Sequence, residues 1–460
     1  MFRSKREVFR VMKTSKFWGI VVTFFAVAVF SAHSLKAAVP DALSPEQFGS
    51  LLTLDEAVAR ALKNHAEVKR AFARLHKEES LYKGALAEFF PKLSGEITSA
   101  FATGGKSFVN YVDTGIEQPI FQGGKAVAQK QKQKAIVESE ELRLEQAKVA
   151  VEASVRVLYA EVLAEKELTR IAQGEVKELT VEYERIKKLV DREILPRYEF
   201  FRIETLFQGA KQALVKHKET CDYLLSVLKE TIGIGEGESL DLEPLGDFSE
   251  LSDGANTYLT TAREHDPVYK LKDLKIREKQ FEKKELVADR YPHLSLSAKW
   301  NEASDVFVDT NRVMVGLVGK WNIWDFGRLG SKIKAKSHEI EEMKWEGELQ
   351  VKKHEQGIRE AFHEARAVRE KIRLTEALIR EREEIYKNEK TRLIAGEKGT
   401  GELIDSFIAL EEAKIKNVQS VTEYRVLLVK LEKKADFETT PQSSESEALV
   451  PPSDSEGVEE

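Results

Sequence analysis

Cysteine is all but missing from this chain of 460 residues: Cys221 stands alone, so an internal disulfide is excluded. Proline is scarce, 11 in all, which leaves room for very long helices. No charge of one sign dominates. Lys and Arg number 72 against 78 Asp and Glu, a formal net charge of −6, and no broad basic surface for nucleic acid is implied. Beyond the N-terminal region no apolar run reaches the roughly 18 residues of a membrane-spanning helix, so a membrane-embedded mature chain must use strands. The nine histidines are scattered, with no metal-ligand spacing, nucleophile elbow or phosphate-binding glycine loop. An enzyme, a metal site and a cofactor are therefore not expected, and His65 and His265 are read as structural.

What is present begins with an export signal. Arg3, Lys5, Arg6, Arg10, Lys13 and Lys16 precede the apolar run Phe17 to Phe30, and small residues follow. Residues 1–37 are read as a signal peptide, cleaved after Ser34 or Ala37; the alternative is an uncleaved anchor. No cysteine lies near that region, which excludes a lipid attached through one. Cys221 sits in a helical run and is read as an ordinary buried residue.

Arg328 to Ala395 reads as one unbroken helix, free of proline and rich in Glu, Lys, Arg and Ala. At about 1.5 Å per residue it is a rod of about 100 Å. Ile358, Ala365, Ile372, Ile379 and Tyr386 recur along it at heptad spacing, with Ala361, Val368 and Thr375 between them, a seam for neighbouring helices.

The chain contains this pattern twice. His65 and Val68 pair with His265 and Val268 at a displacement of 200, and Pro91 pairs with Pro292 at 201. Gln122-Gly123-Gly124 pairs with Asp325-Phe326-Gly327 at 203, a displacement kept by Tyr183 with Tyr386, Val190 with Leu393 and Lys211 with Lys414. The first seam is Val155, Val162, Thr169, Val176, Tyr183 and Val190, with Leu158, Ala172, Leu179 and Ile186 between. Each copy predicts a first helix (Thr53 to about Phe89, opened by the capping signature Thr53-Leu54-Asp55-Glu56; about Ala255–Arg290). Two extended segments follow, about Lys92–Thr103 and Phe108–Phe121, then about His293–Ser304 and Arg312–Trp324. Leu294, Leu296, Ala298 and Trp300 alternate, as do Val313, Val315, Leu317, Gly319, Trp321 and Ile323. The long helix and a returning helix close each copy, the latter at about Pro196–Ile232 and Gly401–Ala435. The prolines are read as lying outside helix interiors. The organisation is thus a signal (1–37), a first repeat (38–233), a Gly-, Asp- and Glu-rich linker (234–254), a second repeat (255–436) and an acidic, disordered tail (437–460).

Strands of this length suit a bilayer, where a tilted strand needs about 9–11 residues. Four strands cannot close a barrel, and an open sheet leaves unsatisfied edges in lipid, so a barrel must be shared between subunits. Two subunits supply eight strands and three supply twelve; the physics does not choose. The competing readings are a soluble hairpin pair capping a coiled coil, an exported coiled-coil structural or adhesin protein without channel activity, and a periplasmic adaptor. The duplicated strand–helix order argues against the adaptor.

At this point the chain resembles the TolC-like outer-membrane efflux protein family. The likeness is carried by Leu52-Thr53-Leu54-Asp55-Glu56-Ala57-Val58 with Asn64-His65, by Phe90-Pro91-Lys92-Leu93, by Gln118-Pro119-Ile120-Phe121-Gln122-Gly123-Gly124, and by the duplicated order. The resemblance implies an α+β membrane protein whose four transmembrane β-strands per chain form a shared trimeric β-barrel in outer-membrane lipid. A long periplasmic α-helical barrel would continue it. It further implies a homotrimer that docks a periplasmic adaptor and an inner-membrane transporter, as the exit duct of an efflux or secretion system.

The far ends of the rods are the candidate site. Glu402 and Asp405, three apart, share a helix face, and in a symmetric oligomer each would recur as a carboxylate ring that attracts cations. The alternative is an ordinary solvated helix start, where acids suit the dipole. By resemblance these two match the family's paired acidic constriction residues, Lys398 matches a basic latch, and Glu199 matches an acidic gate position. The resemblance places adaptor docking at the tips, at Ile194 and Leu195 in copy one and Gly396 and Gly399 in copy two. Glu193 stands where the family usually has glycine, and Pro196 is unusual there. The sequence does not identify the cargo.

Overall fold

The computed structural model describes residues 51–102, 107–235, 240–246, 251, 254–304, 309–395 and 400–435, all within the compact unit Leu51–Glu460. The expected signal peptide and acidic tail, residues 103–106 and 305–308, Lys398, Gly396 and Gly399 lie outside the described residues.

The elements run α1 (Leu54–Asn64), α2 (Ala66–Ala87), β1 (Lys92–Ala102), β2 (Ser107–Phe121), α3 (Lys125–Asp191) and α4 (Arg197–Ile232). The same order then repeats as α5 (Ala255–His265), α6 (Pro267–Ala288), β3 (His293–Ser304), β4 (Asp309–Lys320), α7 (Arg328–Ile394) and α8 (Thr400–Ala435). Bounds from α1 through the start of β1 recur displaced by 201 residues, and those from α3 through α4 recur displaced by 203.

The predicted first helices are each two. Thr53 closes the expected capping box with Glu56, but α1 stops at Asn64 and His65 turns extended (φ −63°, ψ 133°). Its ring Nδ1 then accepts the Glu67 N–H at 3.2 Å and caps α2. In the second repeat Asp266 does the same for Val268 N–H at 2.7 Å, with Pro267 at the first helical position, where its missing donor costs nothing. A single helix over Ala255–Arg290 is therefore wrong: Pro267 falls inside that span and breaks it. The structural partner of His65 is Asp266, not His265.

The four strands form one antiparallel meander in the order β1-β2-β3-β4. Register assigns the two faces. Leu93 opposes Ile116, Ile97 opposes Val112, Ile116 opposes Ala298, Leu296 opposes Leu317 and Ala298 opposes Val315, so one face is apolar. The other carries Lys92, Glu96, Asp113, Glu117, Ser295, Ser297, Lys299 and Lys320. On the polar face Ser295 and Ser297 are buried and the charged residues stay exposed, while Ile97, Val313 and Val315 leave the apolar face open, 70–77% exposed. That is the reverse of a water-soluble sheet. Pro119, in a central strand, is tolerated at a register shift between Pro119 and Phe121. Trp321 and Ile323 were expected in the last strand, but β4 ends at Lys320 opposite His293, because beyond it Pro292 offers no N–H and the chain turns back into α6. Phe90, Tyr291, Trp321, Trp324 and Phe326 are exposed where sheet meets helices, the placement of an interfacial aromatic girdle.

Beneath the sheet, α3 packs against α2 and α6 along its first part and against α4 and α8 along its second. Lys132–Glu285 joins α3 to α6 and Arg156–Glu432 joins α3 to α8. Of the expected seam on α3, Val155, Val162, Ala172, Leu179 and Ile186 are buried while Leu158, Thr169, Val176, Tyr183 and Val190 are partly covered; on α7, Ile358, Ala361, Ala365, Val368, Ile372 and Thr375 are buried, with Ile379 and Tyr386 partly covered. Cys221 is buried in α4. The linker is not a loose tether. Leu52 and Leu242 form a parallel bridge, and Leu240, Leu242 and Leu251 are buried. The Tyr159 hydroxyl lies 2.8 Å from the carbonyl oxygens of both Leu52 and Glu243, and burial pushes its pKa up to about 12.

Candidate functional site

The described tip in the first repeat is built from a helix that ends by a Schellman turn. Glu193 takes φ 61°, its N–H donates to Val190 O at 2.9 Å, and the Ile194 N–H donates to Leu189 O at 2.8 Å. This left-handed position favours glycine, and a side chain there costs about 1–2 kcal/mol. The sequence reading had singled out Glu193 as a departure from glycine; the backbone supplies the reason. Pro196 then caps α4 in an extended conformation (φ −66°, ψ 148°). Ile194, Tyr198 and Phe201 are exposed, whereas Leu195 turns inward against the apolar cluster behind the tip.

That cluster joins both repeats: Leu179, Ile186, Ile203, Phe207 and Ala210 from α3 and α4, with Ile404 and Phe407 from α8. Tyr183 stacks on Phe207 with ring centroids 5.1 Å apart, and Tyr386 meets Phe407 at 5.6 Å. Its packing fixes how the first turn of α8 stands against α4.

Glu402, on that turn, and Asp405, on the next, are both exposed, on one face as their spacing required. Glu199 is half-buried in the first turn of α4. Asp405 is not alone: Arg202 Nη2 donates to Asp405 Oδ1 at 2.5 Å. The sequence reading missed Arg202. The signal was available, because Arg202 and Asp405 are 203 residues apart, the displacement of the repeat itself. Among the described residues no cluster of His, Cys, Asp or Glu is placed to hold a metal ion, and no helix is long and apolar enough to cross a membrane.

Further along the same helices Glu175 is half-buried, and its carboxyl is raised above the ordinary value of 4.5 by burial first, then by Glu411 and Glu412. The folded protein thus holds this proton more tightly than the unfolded chain, so stability falls as pH rises from about that value into the range above it. Glu175→Gln is expected to raise the melting temperature at pH 7, with the gain shrinking as pH drops below 4.5. Melting curves at the two pH values check this; an equal gain at both would contradict it.

Comparison with known proteins now bears on the site. A family model of outer membrane efflux proteins matches residues 57–218. Residues 57–218 are thus similar to outer membrane efflux proteins. No curated protein sequence matches at a significant level. Among solved structures, the likeness in fold extends over both repeats. The chain matches the outer-membrane channel CmeC of Campylobacter jejuni at 16% identity and a TM-score of 0.73, covering 84% of this chain and 85% of that one. It matches the open state of the MtrE outer-membrane channel of Neisseria gonorrhoeae at 15% and 0.71, covering 83% and 88%. A membrane protein of Pseudomonas aeruginosa gives 13% and 0.73, covering 83% and 90%. At such identities these likenesses establish the fold, which is TolC-like.

Proposed function

We propose that this chain is one third of an outer-membrane exit duct: three copies close a twelve-strand β-barrel continued by a periplasmic helical barrel, which passes cargo outward from an inner-membrane transporter through a periplasmic adaptor. The efflux-protein match and the TolC-like fold support the family, the place in the outer membrane and the three-fold count. The carrying observation is that contacts between the two repeats have unfilled equivalents at the chain's outer sides. Strand β2 pairs with β3, leaving β4 and β1 as open edges among the described residues. Helix α3 has neighbours on both sides, whereas among the described residues α7 packs mainly against α8 and α6 and leaves Trp345 (71%) and Leu349 (53%) exposed.

Carrying each repeat contact forward by the repeat displacement gives the junction between subunits. Glu117 opposes Ser297 inside the chain; the equivalent pair is Lys320 with Glu96 of the next copy, opposite charges on the same polar face. Lys125 Nζ is 2.8 Å from Asp289 Oδ1, and the equivalents Arg328 and Glu88 keep both signs. The equivalence is not complete. Phe326 stands for Gly123, whose Cβ would lie 2.5 Å from the Ala288 carbonyl, so the subunit junction must be wider at that turn.

In the ring, Glu402, Asp405 and Glu199 face the axis as the constriction, with Lys398 beside it. Ile194, with Leu195 behind it and with Gly396 and Gly399 of the second tip, forms the adaptor-docking end. The channels among the relatives favour this over an exported structural or adhesin protein, as does the outward apolar sheet face. Purified protein added to a planar lipid bilayer is expected to give discrete single-channel steps. Folded, membrane-inserted protein without conductance would overturn the duct.

A further inference from the structure

We infer that Arg202 sets the charge of the tip: it converts what would be a ring of Asp405 carboxylates into a ring of alternating arginine and aspartate. This rests on the duct reading above. Arg202 and Asp405 occupy the same position in the two repeats, since α4 and α8 are displaced by 203 residues and the two residues are separated by 203. Their side chains nevertheless touch across the boundary between repeats. A contact between equivalent positions of adjacent repeats is passed on at every repeat boundary when repeats alternate around an axis. Each Asp405 then has its own Arg202 on one side and the Arg202 of the next copy on the other.

Local geometry is fitted to this pair. A Cβ on Gly401 would lie 3.0 Å from Arg202 Nη1, so the bare glycine one turn before Asp405 gives the guanidinium its place against α8. One repeat position earlier both copies are acidic, Glu199 and Glu402, so the change of sign is confined to the second level. An acidic ring attracts cations and gives divalent ions a site; an alternating ring is neutral, and its carboxylates are already occupied by guanidinium donors. Arg202 is therefore a specificity-determining residue of the constriction, and the cation preference expected from Glu402 and Asp405 together is reduced to that of the Glu402 level.

Reversal potentials in a KCl gradient, with and without added Mg2+, test this on the full-length protein in planar bilayers. Arg202→Gln is expected to raise the potassium-to-chloride permeability ratio severalfold and to introduce Mg2+ block, while Arg202→Lys leaves both near the wild type. Arg202→Gln/Asp405→Asn is expected to bring the ratio back. If Arg202→Gln and Asp405→Asn both change only conductance or open time, with the permeability ratio unmoved, the pair is a mechanical cross-link and the inference falls. If Arg202→Gln leaves the ratio unchanged while Asp405→Asn shifts it, the alternating ring is likewise refuted. Wild-type protein that inserts but conducts nothing would instead overturn the duct itself, and this inference with it.

Discussion

Val315→Lys is expected to abolish insertion of the protein into membranes, whereas Met314→Lys, one residue away, is expected to be tolerated. Val315 lies at the middle of β4 on the apolar face, 70% exposed, opposite Ala298. A lysine at the midplane of a lipid-facing strand costs about 2–4 kcal/mol, hence about 6–12 kcal/mol for three copies. Met314 is also exposed, at 55%, but lies on the face of Ser297 and Lys299, opposite Lys299 itself. There a new lysine meets only like-charge repulsion of roughly 1 kcal/mol or less across the strand pair. The fraction of protein that resists urea extraction from membranes distinguishes the two. Equal loss for both variants would mean that the sheet does not have one face in lipid.

The second large effect concerns the open sheet edges. In the carried-forward register, Val318 of β4 stands opposite Thr98 of the next copy's β1, as Gly115 stands opposite Lys299 within the chain. Opposed residues on antiparallel strands have Cα atoms about 4.5–5.5 Å apart, within the range a disulfide spans. Thr98→Cys/Val318→Cys is therefore expected to give oxidised dimers and trimers that survive denaturation, with the buried Cys221 taking no part. Moving one cysteine by a single residue, in Thr98→Cys/Gly319→Cys, sends the thiols to opposite faces and is expected to leave monomers. Cross-linking of the second pair and not the first would show a register slipped by one.

Much of this architecture is legible in the residues themselves. A displacement held over a whole helical hairpin fixes the duplication, and the seam from Val155 to Val190 picks out Val155, Val162, Ala172, Leu179 and Ile186 of what α3 buries, because heptad spacing is an image of helix geometry; Tyr159, Leu168 and Ile171 are buried outside it, against the several helices that surround α3. The strands are legible because alternation reports which side faces what. What the sequence reading missed depends on tertiary partners. The breaks at His65 and Asp266 arise from side chains that cap their own backbones, inside otherwise helical composition. Trp321 and Ile323 alternate as a strand does, but among the described residues the ladder stops at Lys320, and the Trp321 indole N–H donates instead to Arg290 O. The linker's Gly, Asp and Glu mark it as a linker but do not show that Leu240, Leu242 and Leu251 strap it down. At the tip, Glu402 and Asp405 were found by spacing and family pattern, while Arg202 was not, because its role exists only where two repeats meet.

The account makes one central demand: this chain is incomplete alone and is finished by copies of itself. Native mass spectrometry of the detergent-solubilised protein measures that directly. Three chains per particle are predicted, three times the mass of the single purified chain, with the strands folded. A particle of one chain with its sheet intact would contradict the account, because both edges of the sheet would then lie open in the membrane.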